Sequence, residues 1–183
     1  MKFLVLGLTG KRGCGKDTVA NYLREEHGFA VLTYTDHVLA PILEKRGKPV
    51  TRENLISLAL ELREKHGKDI LTKMICGKIE KSGLWAVSGV RYPEEAERFR
   101  KEFGDDFRLL SIECSAEKRH ERVKSRGTKG EGELTYKEFL RIDKRPTELP
   151  ISETMKLADF TIENNGPFED LYKQINNLME NLL

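Results

Sequence analysis

The stretch LVLGLTGKRGCGKDTVANYL, residues 4–23, decides the fold. It begins with an apolar run typical of a buried strand, continues through four glycines spaced around lysines, and ends with the spacing of a helix. Residues 10–16 spell G-x-x-x-x-G-K between that strand and that helix. Glycines allow backbone N–H groups to turn inward, the helix adds its positive dipole end, and Lys16 adds an ammonium group. The stretch therefore predicts a phosphate-binding loop, and a glycine-rich turn without a ligand is the alternative.

The residue after Lys16 departs from the strict form of this motif. Asp17 stands where a Ser or Thr hydroxyl would hold magnesium, and the hydroxyl follows one position later, at Thr18. Thr18 is therefore a candidate metal ligand, whereas Asp17 either interacts with the helix dipole or acts as a ligand. The predicted nucleotide-binding residues of the loop are Gly10, Arg12, Gly13, Cys14, Gly15, Lys16, Asp17 and Thr18.

The composition argues against several classes of protein. The 183 residues include 32 basic and 30 acidic side chains, and a net charge of +2 does not favour a protein that coats nucleic acid or binds an anionic membrane. Cys14, Cys76 and Cys114 lack the paired spacing of a zinc site or a disulfide framework, which favours a reducing cytoplasm. No stretch approaches the roughly 20 apolar residues that span a bilayer. We therefore expect a soluble, cytoplasmic protein.

Apolar runs and helical spacing alternate along the chain. The runs that predict strands are residues 2–8, 29–35, 84–90, 107–114 and 158–164. This alternation predicts one α/β domain over residues 1–183, a three-layer sandwich in which helices flank a five-stranded parallel sheet. Two segments are longer than the connections that such a sandwich requires. Residues 36–81 hold helices that would form a flap, and residues 126–148 are rich in charge and glycine, which favours a mobile segment.

Several motifs, taken in their order along the chain, resemble those of the P-loop nucleoside monophosphate kinases and dephospho-CoA kinases. They are GKRGCGKDT, TYTDHV, ELREKHGKDIL, SGVRYPEE, ERVKSR and IENNGPFEDL. The resemblance implies the P-loop NTP hydrolase fold of the nucleotide-kinase type, with an acceptor-binding flap over residues 36–81 and a lid over residues 126–148. It also implies an enzyme that uses ATP and Mg²⁺ to transfer the γ-phosphate to dephospho-CoA or a (deoxy)nucleoside monophosphate.

The resemblance implies specific residues on the acceptor side. Asp36 matches an acidic residue that orients the acceptor hydroxyl or helps to hold magnesium; a helix N-cap is the alternative, and His37 is expected at the surface. Arg91 matches an arginine that binds the acceptor's phosphate, and Arg63 resembles an arginine of the flap, with a solvated position as the alternative for each. Ser88 stands where many relatives carry a magnesium-binding aspartate, which leaves more of that task to Asp36.

On the nucleotide side, Arg119, Arg122 and Arg126 lie three and four residues apart and share one side of a predicted helix that ends at Gly127. The resemblance matches Arg122 and Arg126 to residues that meet the nucleotide where the lid begins. A basic helix end that interacts with its own dipole is the alternative. The candidate catalytic residues are Lys16, Asp36, Arg91, Arg122 and Arg126.

Two further segments complete the implied site. In the lid, Arg141 and Arg145 are candidates for phosphate contacts or belong to a solvated helix. In relatives, the loop after the fifth strand lies against the adenine, which makes Asn165 and Gly166 candidates here. A helix-entry turn with Pro167 as the first helical residue explains the same letters without a ligand.

Two other classes of function stay open. An NTP-hydrolysing regulatory switch is disfavoured because the sequence lacks an N-K-x-D motif for guanine. A nucleic-acid 5′-end kinase is disfavoured by the near-neutral charge. The expected partner is a small nucleotide-like molecule, and the oligomeric state is not predicted.

Overall fold

A single parallel sheet organises the chain in the computed structural model, which describes residues 2–127, 133–145 and 148–183. Its strands are β1 (Leu4–Thr9), β2 (Ala30–Thr33), β3 (Leu84–Ser88), β4 (Phe107–Glu113) and β5 (Phe160–Glu163). Their order across the sheet is β2-β3-β1-β4-β5, and each neighbouring pair is parallel. The five predicted runs are confirmed as strands, with ends that shift by at most two residues.

Helices connect the strands and cover both faces of the sheet. They are α1 (Lys16–His27), α2 (Ala40–Lys45), α3 (Arg52–His66), α4 (Ile70–Cys76), α5 (Pro93–Phe103), α6 (Ala116–Arg126), α7 (Tyr136–Asp143), α8 (Leu149–Met155) and α9 (Phe168–Leu182), with a π-helical turn at Thr35–Leu39 and a 3-10 turn at Gly104–Asp106. Several of these helices have an N-cap residue whose side chain accepts a hydrogen bond from the first turn. For example, the Ser115 hydroxyl accepts a hydrogen bond from the Lys118 N–H at the start of α6. Over the described residues, no helix has both the length and the apolar character that a membrane crossing requires.

Two hydrophobic layers lie on opposite faces of the sheet because side chains alternate along each strand. Val5 of β1 belongs to the layer that α3, α4 and α5 cover, whereas Leu6 belongs to the layer that α1 and α9 cover. The Phe99 ring of α5 stacks on the Phe107 ring of β4 at 5.0 Å in the first layer. The structure therefore confirms the three-layer α/β sandwich.

The inserted segment, residues 36–81, contains most of the π-helical turn and helices α2, α3 and α4. Its buried apolar side chains belong to the first of these layers. They include Leu58, Leu62, Leu71 and Ile75, all of which are buried. The segment therefore shares its core with the sheet.

The predicted lid, residues 126–148, includes residues 128–132 and 146–147, which lie outside the described residues. Its described part contains α7, which begins with a capping box between Thr135 and Glu138. Phe139 of α7 is fully buried, and its ring lies 5.5 Å from the ring of His120 on α6. This part of the predicted lid is therefore a helix that packs on α6.

Replacing Phe99 with Ala should lower the free energy of unfolding by about 3–5 kcal/mol, because removing a fully buried ring leaves a cavity. Phe168→Ala is the matched control: that ring is 56% exposed, and its removal should cost about 1 kcal/mol or less. Denaturant unfolding followed by circular dichroism measures both losses. Equal losses would contradict the assignment of Phe99 to the core.

Candidate nucleotide-binding site

Residues 10–16 join β1 to α1 at the carboxyl edge of the sheet, where parallel α/β proteins bind ligands. Two glycines in this loop have left-handed backbone conformations, with φ of 79° at Gly13 and 100° at Gly15. A Cβ on Gly13 would lie 2.9 Å from the Arg119 carbonyl oxygen, and a Cβ on Gly15 would overlap the side-chain amide of Asn164. Both the conformation and the space therefore require glycine at these positions.

The Lys16 ammonium lies over the loop from the first residue of α1. Its Nζ donates hydrogen bonds to the carbonyl oxygens of Gly10, at 2.6 Å, and Lys11, at 3.2 Å. Phosphate oxygens carry charge and accept stronger hydrogen bonds from an ammonium than neutral carbonyls do. The Lys16 side chain can therefore exchange these carbonyls for phosphate.

The outer side of the loop is bound by side chains from other segments. Arg119 donates to the Arg12 carbonyl from Nη1, at 3.2 Å, and Asn164 donates to the Cys14 carbonyl from Nδ2, at 2.8 Å. Arg122 donates from Nη2 to the Asn164 Oδ1, at 3.1 Å. The structure thus brings Arg122 to the loop through Asn164, a residue that the sequence did not single out.

Arg122 also donates from Nη1 to the Cys114 sulfur, at 3.3 Å. Partial burial raises the pKa of the Cys114 thiol, so Arg122 contacts a neutral group there. Arg126 lies one turn later, at the exposed end of α6, which stops at Gly127 as predicted.

Arg119 points away from solvent and is only 3% exposed. Its guanidinium makes two hydrogen bonds with the Asp143 carboxylate of α7, at 3.0 and 2.5 Å, and lies 5.1 Å from the centre of the Phe139 ring. This buried ion pair joins α6 and α7, and Arg119 also contacts the loop. The spacing of the three arginines predicts the correct helix side for Arg119 but not this role, because Asp143 lies 24 residues away.

A cavity of about 500 Å³ opens between the loop after β4 and the loop after β5. Its lining includes Lys11, Cys14, Cys114, Ser115 and Asn165. The Asn165 Oδ1 accepts a hydrogen bond from the Ser115 N–H, at 2.8 Å, so that the two loops are joined. Ligand pockets in proteins have volumes in this range.

Gly166 follows Asn165 in the loop that precedes α9. A Cβ on Gly166 would lie 3.0 Å from the Asp170 carboxylate. Pro167 is the N-cap of α9, and Phe168 is its first helical residue, so the sequence expectation for Pro167 was wrong by one position. The segment that contains Asn165 and Gly166 is therefore the entry to α9. This role does not exclude a contact between the same segment and a bound base.

Asp36 is exposed after β2, in the π-helical turn. Its Oδ2 accepts a hydrogen bond from the Thr33 hydroxyl, at 2.7 Å, and its own N–H donates to that hydroxyl, at 3.0 Å. Asp36 lies inside the turn, whose N-cap is Tyr34, so the N-cap alternative for Asp36 is wrong. His37 is half-buried, and its Nδ1 accepts from the Thr33 N–H, at 3.0 Å, so it is not a plain surface residue.

Arg63 and Arg91 meet around one buried carboxylate, that of Glu95. Glu95 accepts hydrogen bonds from the Arg91 N–H, at 2.8 Å, and from the Arg63 Nη2, at 2.8 Å. Burial raises the pKa of Glu95, whereas Arg63 favours its charged form. Arg63 is 12% exposed and lies over the Tyr92 ring, so the solvated alternative for Arg63 is wrong.

The Arg91 side chain, in contrast, is about half-exposed and forms an ion pair with Glu148 at 3.4 Å. Its backbone is fixed, because its carbonyl oxygen accepts a hydrogen bond from the Thr154 hydroxyl, at 2.8 Å. Arg91 therefore presents a guanidinium from a rigid backbone at the end of the loop that follows β3.

Positive charges from several segments reach the phosphate-binding loop. The pKa of the Arg12 guanidinium is lowered, and partial burial is the largest cause. The positive charges of Arg52 on α3 and Arg145 after α7 lower this pKa further. Glu148 and Asp143 act in the opposite direction. The arrangement suits an anion that binds between the loop, the flap and the lid. Arg141 is exposed on α7.

The donor set near the loop fits Mg²⁺ that is bound together with a nucleotide. Among the described residues, no group of three or more His, Cys, Asp and Glu side chains could hold a metal ion. Mg²⁺ in nucleotide sites needs only one or two protein oxygens, since phosphates and waters complete the octahedron. Thr18, Asp36 and the exposed Asp17 offer such oxygens, and Ser88 at the end of β3 is neutral and mostly buried.

Two buried hydroxyl groups lie beside the loop without a hydrogen-bond partner among the described residues. They are the Oγ1 of Thr9 and the Oγ of Ser111, which pair in register on β1 and β4. Neither hydroxyl belongs to a sequence motif, although each is on a polar residue near the carboxyl end of an apolar strand.

The sheet order and the loop after β1 define a P-loop protein with a kinase-like fold. A family model described as an AAA domain, AAA_18, matches residues 6–141, and UPF0200 protein PH1008 of Pyrococcus horikoshii is 34% identical over 98% of both chains. The chain belongs to the AAA_18 and UPF0200 families. It is also 38% identical to a UPF0200/UPF0201 protein of Archaeoglobus fulgidus, of which it spans only 56%.

Solved structures show the same fold. The shikimate kinase of Bacteroides thetaiotaomicron aligns over 98% of this chain and 99% of its own, with a TM-score of 0.63 and 12% identity. The fold expected from the sequence is therefore confirmed. These matches support a P-loop kinase-like protein and do not name a nucleoside monophosphate kinase or a dephospho-CoA kinase.

Replacing Asp143 with Ala should lower the free energy of unfolding by about 3–5 kcal/mol, because the Arg119 charge would stay buried without its partner. The matched control is Glu121→Ala, which breaks an exposed pair on the same α6 and should cost about 0.5 kcal/mol or less. The double variant Arg119→Met/Asp143→Leu should recover most of the loss. Denaturant unfolding measures all three, and equal losses for Asp143→Ala and Glu121→Ala would contradict the buried pair.

Proposed function

We propose that this protein is an ATP-dependent kinase that transfers the γ-phosphate to a small, nucleotide-like acceptor with its own anionic group. One observation carries the proposal. The glycine loop with Lys16 lies at the same sheet edge as Arg122, Arg91 and Asp36, which come from three other segments. Phosphoryl transfer needs groups of this kind, held in position around phosphates.

The nucleotide occupies the loop and the neighbouring cavity in this proposal. Inward-facing amides and Lys16 bind the β- and γ-phosphates, and Arg122 neutralises charge from the side of α6. The base enters the cavity of about 500 Å³, against Asn165, which lines it, and next to Gly166 in the same loop. The contact between Asn165 and Ser115 supports this placement, because it fixes one wall of the cavity.

The acceptor binds between the flap and the end of β3. Arg91 holds its anionic group, and the positive charges of Arg12, Arg52 and Arg145, which Glu148 and Asp143 partly offset, favour the same charge. Arg63 contributes less than the sequence predicted, because Glu95 already neutralises it. We propose dephospho-CoA and the (deoxy)nucleoside monophosphates as the acceptors to test first.

Phosphoryl transfer in this proposal depends on the positions of the reacting groups and on neutralisation of the negative charge of the phosphates. Mg²⁺, held through Thr18 and Asp36 together with the phosphates, supplies neutralising charge when it is bound. Lys16, Arg122 and Arg126 stabilise the negative charge that spreads over the transferred group. Asp36 accepts the proton of the acceptor hydroxyl, since it is exposed and is oriented by Thr33.

A panel of acceptors tests this function directly. The purified protein is incubated with ATP and Mg²⁺ and, in separate reactions, dephospho-CoA, each (deoxy)nucleoside monophosphate or a short oligonucleotide, and phosphorylated products are identified by mass spectrometry. Phosphorylation of one of the small acceptors is the expected result. ATP hydrolysis without any phosphorylated acceptor would favour a regulatory switch, and phosphorylation of the oligonucleotide alone would favour a 5′-end kinase.

Lys16→Ala should lower turnover about 10³-fold, because it removes a charge from the transition state. Asp36→Asn should lower it less, about 10²-fold, because the proton acceptor is lost while the amide oxygen of Asn can still contact Mg²⁺. Lys45→Ala, an exposed lysine on α2, is the control and should change turnover less than about twofold. Steady-state kinetics with the active acceptor measures these effects, and a larger loss for Asp36→Asn would show that the ranking is wrong.

A further inference from the structure

Asn164 is a buried polar residue that connects three parts of the candidate site. It follows β5, is 2% exposed, and its N–H donates to the Glu113 carbonyl at the end of β4, at 2.8 Å. Its side-chain amide lies between the phosphate-binding loop and Arg122. A carbonyl on one side and a guanidinium on the other allow only one orientation of that amide, with Nδ2 toward Cys14 and Oδ1 toward Arg122.

The contact with Cys14 determines the direction of the next amide. A trans peptide is planar, so that the C=O of Cys14 and the N–H of Gly15 point to opposite sides of one plane. Asn164 binds that C=O on the outer side of the loop, at 2.8 Å. The Gly15 N–H is therefore directed to the inner side of the loop, where phosphates bind in P-loop proteins.

The fit around Gly15 makes this contact specific. A Cβ at position 15 would overlap the Asn164 amide, and the backbone there has φ of 100°. The Asn164 side chain thus lies directly against the loop, and no larger residue than glycine fits between them.

We infer that Asn164 is a positioning residue for the polyphosphate of a nucleoside triphosphate: it holds the Cys14–Gly15 peptide so that the Gly15 amide faces the phosphates. This inference rests on the proposed function, because it concerns the same loop. Asn164 touches no reacting atom. It acts through Gly15.

Asn164→Asp breaks the contact with Cys14 and places a carboxylate beside Arg122, so that the uncharged variant Asn164→Ala is measured with it. A carboxylate at position 164 still accepts a hydrogen bond from Arg122, but it cannot donate to the Cys14 carbonyl and repels it. We expect the affinity for tripolyphosphate and for ATP, measured by isothermal titration calorimetry, to fall at least tenfold. Asn181→Asp, an exposed asparagine on α9, introduces the same charge far along that helix and should leave both affinities unchanged.

Nuclear magnetic resonance observes the Gly15 amide itself. With ¹³C-carbonyl cysteine and ¹⁵N-glycine, only the Cys14–Gly15 and Cys76–Gly77 pairs of this sequence give a coupled signal. In the unmodified protein, tripolyphosphate should move the Gly15 signal to low field, and Gly77 at the end of α4 should stay in place. In Asn164→Asp, the low-field shift of Gly15 should be lost at saturating tripolyphosphate.

Asn164→Ala provides a second variant that carries no new charge, and it should also lose the Gly15 shift. An unchanged Gly77 signal shows that each variant is folded. If either variant keeps the Gly15 shift and the affinity for tripolyphosphate, the inference is overturned while the proposed function stands. If the unmodified protein binds neither tripolyphosphate nor ATP, the proposed function fails, and the inference fails with it.

Discussion

The candidate site depends on one constraint, the fixed direction of the peptide planes in the loop between β1 and α1. Arg119 and Asn164 bind the carbonyls of Arg12 and Cys14 from outside the loop. Neighbouring groups also occupy the space that a side chain at Gly15 would need. The loop therefore has its shape before any phosphate arrives, and little reorganisation is needed when a ligand binds.

Buried carboxylates decide which cations around this loop keep their charge. Glu95 neutralises Arg63 and Asp143 neutralises Arg119, so these two arginines chiefly connect segments of the protein. Arg122 contacts the neutral groups of Asn164 and Cys114 instead. Its charge is consequently available to an anion, although it lies on the same helix side as Arg119. The spacing of Arg119 and Arg122 along α6 predicted that they share one side of the helix. Their hydrogen-bond partners determine whether each connects segments or remains available to an anion.

The features predicted correctly from the sequence are those that a local pattern determines. The features that were missed depend on contacts between residues far apart in the chain. Alternating apolar runs and helical spacing were sufficient for the sheet and its layers, and the glycine spacing was sufficient for the loop. The pair Asn164 and Asn165 shows the limit. The Asn164 N–H pairs with the Glu113 carbonyl of the neighbouring strand, and this register determines which of the two asparagine side chains faces the loop. The letters NNGP alone do not reveal the register. Arg63 was matched to the acceptor by resemblance, and its contact with Glu95, 32 residues away, is likewise outside any local pattern.

The shared core of the flap limits how an acceptor can enter. Leu58, Leu62, Leu71 and Ile75 are buried in the same layer as the sheet, and exposing each would cost about 1.5–3 kcal/mol. Moving the whole flap away from the sheet would therefore cost a large part of the stability of a domain of this size. In the proposed function, an acceptor therefore reaches Arg91 along the rim of the site, through motion of segments outside this core.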